Sequence, residues 1–98
     1  DYDEKLITSL LISAANRTIG ITKRISPYVF QISLNEINAT YEINAITFEP
    51  QNMYYIKSDL IKNIHNTFKA NNVSLNSVQF IDITENKLKE EIWIDFKL

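Results

Sequence analysis

The 98 residues suffice for one domain with a modest core, so the whole chain, 1–98, reads as a single unit. A composition of 45% hydrophobic and 22% charged residues excludes a disordered tail, and a net charge of −2 supplies no basic face for a nucleic-acid backbone. The absence of cysteine excludes a disulfide framework and a thiolate metal site and fits a reducing compartment. No apolar run reaches the roughly 20 residues that span a bilayer, and no signal peptide opens the chain. The triplets at Asn16, Asn38 and Asn72 match a glycosylation pattern, which in so Asn-rich a chain reads as chance. An opening on DYDEKL, without an initiator Met, reads as a piece of something longer.

Leu6, Ile7, Leu10, Leu11, Ala14 and Ala15 recur at helical spacing behind Asp1, Asp3 and Glu4, which predicts a helix over 3–16. Gly20, the only glycine, lies in a connector that runs to Pro27. From Tyr28 the period becomes two. Tyr28, Phe30, Ile32 and Leu34 share one face of a strand, opposed by Val29, Gln31 and Ser33. After a polar turn at Asn35–Glu36, Tyr41, Ile43, Ala45 and Thr47 alternate with Glu42, Asn44, Ile46 and Phe48, completing an antiparallel hairpin.

Ile56, Leu60, Ile61, Ile64 and Phe68 mark a second amphipathic helix, with Asn71 and Asn72 suited to its end. Val73 and Leu75 begin a third strand that continues through Val78, Phe80 and Ile83, and Thr84 to Lys87 make a polar turn. In the last segment Leu88, Ile92, Ile94, Phe96 and Leu98 alternate with Lys89, Glu91, Trp93, Asp95 and Lys97.

This α-β-β-α-β order with a C-terminal strand predicts an α+β, ferredoxin-like two-layer sandwich whose first strand lies upstream of Asp1, leaving a sheet edge unpaired. In it, Ile64 and Phe68 pack on the sheet face that carries Phe30 and Ile32.

Several stretches together resemble a known family. Tyr2-Asp3 before an apolar helix that ends in Ala14-Ala15-Asn16-Arg17 is similar to its helix start and end. ISPYVFQISLNEINATYEINAITF looks like its hairpin, and IKSDLIKNIHNTFKANNVSLNSVQF is similar to a helix leading to a G-I-x-I-P-F-P-Q run. The resemblance is to the C-terminal cytoplasmic domain of small-conductance mechanosensitive (MscS-like) channels, collinear over about residues 2–80. The chain departs from the pattern where only Pro27 remains of a proline-rich connector, Asn72 stands for the glycine, and Asn76 and Val78 stand for the prolines.

The resemblance implies a structural and oligomerising vestibule domain of an ion channel in the cell membrane. This domain lies on the cytoplasmic side and is held to the membrane by upstream helices. The partner it implies is the chain itself, as a homo-oligomer that is heptameric in the family. The strand in 88–98 is then an oligomerisation strand whose Ile92, Ile94 and Phe96 line a small intersubunit barrel. The simpler alternative pairs it with residues 78–83 in its own subunit. On the barrel reading, removing Glu91 to Leu98 lowers the assembly state without unfolding the rest.

Tyr54, Tyr55 and Trp93 are candidates for a subunit contact, with ligand stacking or a membrane interface as the other reading. His65, the only histidine, has no second His or Cys to make a metal site or a poised base and reads as a surface residue. Glu90, Glu91 and Asp95 read as partners of Lys89 and Lys97 rather than a catalytic carboxylate pair. Lys23 and Arg24 read as a solvated loop, or as charges lining a portal. No cofactor and no catalytic or metal residue is assigned, and an enzyme is not expected. The competing function is a free-standing ferredoxin-like regulatory module binding a small molecule, which a single glycine supports poorly.

Overall fold

The computed structural model describes residues 3–34, 39–75, 77–81 and 90–97. Its elements in chain order are α1 (Glu4–Asn16), β1 (Tyr28–Leu34), β2 (Ala39–Thr47), a 3-10 turn (Pro50–Asn52), α2 (Met53–Ala70), β3 (Ser77–Ile81) and β4 (Glu90–Lys97). The chain is thus a small α+β protein with an antiparallel sheet. The expected turns at Asn35–Glu36 and Thr84–Lys87, and the strand positions Ile83, Leu88 and Leu98, lie outside the described residues.

Local chemistry explains the helix ends. Asp3 caps α1, its side chain accepting from the Lys5 amide at 3.0 Å. At the far end of α2, Asn72 adopts φ +59°, the Val73 amide donates to the Phe68 carbonyl at 2.9 Å, and the Asn72 amide donates to Lys69. This is a Schellman closure, with asparagine in the left-handed position that glycine usually fills and Val73 buried beside it. The connector after α1 needs its glycine. Gly20 has φ +99°, and a Cβ there would lie 2.6 Å from Ile56 Cδ1.

The strand order is β1-β2-β4-β3, every neighbour antiparallel. Two expectations are corrected here. The C-terminal strand pairs within its own chain, and with two partners: β3, as the simpler reading had it, and also β2. It therefore stands inside the sheet, in the inner place expected of an upstream strand, and among the described residues the edge strands are β1 and β3.

The core joins Ile7, Leu10, Leu11, Ala14 and Ala15 of α1 and Ile56, Leu60, Ile64 and Phe68 of α2 to one face of the sheet. On that face the register sets Tyr41 opposite Phe96, Ile43 opposite Ile94, and Ala45 opposite Ile92. The helical stripe was read correctly except for Leu6, which is 39% exposed. β1 was read in the wrong phase. Val29 pairs with Ile43 and Gln31 with Tyr41, so Val29 packs on the core. Phe30 and Ile32 point to the other side, each 50% exposed. Phe68 and Ile64 accordingly pack in the core, on the face opposite Phe30 and Ile32.

Candidate docking face

The sheet has a second face, opposite the one that lines the core, and its residues follow from the two-residue alternation. On β4 these are Glu91, Trp93, Asp95 and Lys97; on β2 they are Thr40, Glu42, Asn44 and Ile46; on β1 they are Tyr28, Phe30 and, beside a bulge between Gln31 and Ser33, Ile32. Register arranges them in rows across the strands. One row is Tyr28, Asn44 and Trp93, and the next is Phe30, Glu42 and Asp95. A third pairs Thr40 with Lys97.

The aromatic rings form a connected group. Tyr28 meets Phe30 edge-on with centroids 5.1 Å apart and reaches Trp93 at 6.1 Å, also edge-on. Asn44 lies between Tyr28 and Trp93 in the register and is buried, and its Nδ2 has no hydrogen-bond partner. The Trp93 Nε1 donates to Glu91 Oε2 at 3.4 Å, which orients the indole.

The acidic row has unusual electrostatics. Burial raises the Glu42 pKa above its ordinary value of 4.5, and a hydrogen bond to Asp95 and the Asp95 charge raise it further. Asp95 Oδ1 is buried without a partner. Tyr28 is also shifted upward, first by burial and then by the negative charges of Glu91 and Glu42. The face therefore carries a negative potential next to exposed aromatic and aliphatic surface, with Lys97 as the cation one row away.

The six residues expected at a subunit interface do not come together. Ile92, Ile94 and Phe96 are fully buried in the chain's own core, which leaves none of their surface for an intersubunit barrel. They are buried because β4 lies inside the sheet, and alternation then sends these three residues to the helix side. Trp93 lies on the opposite face and is half-buried. Tyr54 and Tyr55 stand in the first turn of α2, 78% and 69% exposed and 5.5 Å apart edge-on, on the helix side of the sheet.

His65 is exposed on α2. Lys23 and Arg24 are exposed in the connector, where the Arg24 guanidinium lies 5.9 Å from the Phe48 ring centroid. Among the described residues, no group of three His, Cys, Asp or Glu side chains is placed to hold a metal ion, and no helix is long and apolar enough to cross a membrane.

Sequence reasoning missed Tyr28, Phe30 and Ile32 as surface residues, and Glu42 and Asp95 as a pair. The alternation of β1 was visible, but which face it turned to the core depended on the hairpin register. That register shifts at the bulge between Gln31 and Ser33.

No family model matches the chain, and no curated protein matches it. A solved structure described as "Modulating Heme Redox Potential Through Protein-Induced Porphyrin Distortion" is similar, with a TM-score of 0.50 and 16% identity over 90% of this chain and 47% of that one. The chain thus spans about half the length of that protein, and the likeness is one of fold.

Proposed function

We propose that this chain is a non-catalytic assembly domain of a larger protein, docking through the sheet face that the helices leave uncovered, with another copy of the chain as its partner. The observation that carries this reading is the exposure of Phe30 and Ile32 at 50% and Tyr28 at 39%, side by side with Trp93. Large apolar side chains grouped on one face, rimmed by charge, are what a protein contact covers. The acidic groups Glu42, Glu91 and Asp95 on that face argue against a polyanionic partner such as nucleic acid.

The resemblance to MscS-like channels gives the second reading: a vestibule domain whose copies join in a ring of seven below a membrane pore, which a sedimenting mass above two copies favours. A ferredoxin-like reading of the fold fits the strand order with one change, in which β4 takes the inner slot that the first strand occupies in that fold. The test is sedimentation velocity over a concentration series. The chain should self-associate, and Phe30→Ser should leave it a folded monomer. A wild-type chain that stays monomeric at every concentration overturns the reading.

A further inference from the structure

We propose that two copies stack these faces about a two-fold axis, the Lys97 ammonium of each seated on the Glu42–Asp95 pair of the other. The inference rests on the self-association reading above and specifies its geometry.

Along β4 the outward side chains run Glu91, Trp93, Asp95, Lys97, with successive rows about 7 Å apart at two residues per step. The acidic row and the basic row are therefore immediate neighbours. An axis lying between the sheets, across the strands and midway between these two rows, sets each strand over its own copy running the opposite way. Asp95 then faces the partner's Lys97, and Phe30 faces the partner's Ile32, twice over, as a two-fold contact requires. Stacked sheets lie about 10 Å apart, a gap that an extended lysine from one side and a carboxylate from the other can close.

The alternatives on the same face are worse. An axis through the Asp95 row sets four carboxyl groups against one another, and one through the Lys97 row sets ammonium against ammonium; like charges in register are repulsive. The offset midway between the Asp95 and Lys97 rows pairs opposite charges and brings together Phe30 and Ile32, which are among the most exposed apolar side chains of this face; the offset one row further along pairs Glu91 with Lys97 but sets the Asp95 carboxylate against the partner's Trp93 ring. Tyr28, Asn44 and Trp93 fall at the rim.

Because the contact is two-fold, exchanging the two charges within one chain preserves it. Dimerisation of the wild-type chain is to be compared with Lys97→Asp, the double variant Asp95→Lys/Lys97→Asp, and Phe30→Ser, each by sedimentation velocity with folding checked by circular dichroism. Lys97→Asp should weaken dimerisation about tenfold or more, and the double variant, whose net charge equals that of the wild type, should return to within about threefold of it. A dimer untouched by Lys97→Asp but abolished by Phe30→Ser overturns the charge pairing and leaves the docking face intact. A double variant as weak as the single one, or a wild-type mass above two copies, overturns the two-fold arrangement. Association unchanged by all three variants overturns this proposal and the docking face together.

Discussion

Glu42 shows how a single position joins fold and surface. Its carboxyl sits between Phe30 and Asp95, and burial followed by the Asp95 hydrogen bond raises its pKa. Among the described residues of the same sheet face, the ionisable groups around it are Tyr28 on β1 and Glu91, Asp95 and Lys97 on β4. A raised folded-state value means that the protonated form is favoured by folding. That contribution is complete below the ordinary value of 4.5 and is lost as pH rises through the folded value. Glu42→Gln, measured at concentrations where the chain is monomeric, should therefore gain melting temperature relative to wild type as pH is raised through this window. A difference that stays flat, or shrinks, contradicts the shift. Nothing in the alternation of TYEINAIT announced this pair, because Glu42 and Asp95 lie far apart in sequence and meet only through the β2–β4 register. Phe68, by contrast, was readable as core from helical spacing alone and is 1% exposed. Phe68→Ala should cost about 3–5 kcal/mol, read from the denaturant midpoint.

At the scale of elements, both helices were legible because a stripe at helical spacing identifies its own buried side. Each strand was legible as a strand but not as a neighbour, since alternation says nothing about which strand lies alongside. The last strand is the clearest case. Its Ile92, Ile94 and Phe96 suit a barrel between subunits or a sheet within one, and pairing with β2 and β3 sends all three inward. Deleting residues 91–98 should therefore abolish cooperative unfolding, where an assembly strand would leave a folded remainder. A sharp thermal transition in the truncated chain would contradict the inner placement of β4. The connector is similarly constrained. The Thr22 amide donates to the Ile46 carbonyl at 2.8 Å, Asn63 donates to Thr18 Oγ1 at 2.9 Å, and Arg17 donates to Thr67, tying the loop to β2 and α2. Gly20→Ala meets a positive φ and the Ile56 side chain together, and it should cost about 1–3 kcal/mol in chemical denaturation.

At the scale of the whole molecule, the described strands form one sheet with two unlike sides. The side lined by α1 and α2 holds the core, and the other presents rings and carboxyl groups. This asymmetry, rather than any catalytic grouping, is the feature from which a function is proposed. It was only half legible in the sequence, because β1 is apolar on the face that turns outward and its apolar run was assigned to the core. The most direct test is a photo-crosslinking benzoylphenylalanine placed once at Phe30 and once at Tyr54, which is more exposed but lies on the helix side. Irradiation of the associated protein should give a two-chain adduct from position 30 and none from position 54. An adduct from position 54 alone, or from neither, would contradict docking through the uncovered face.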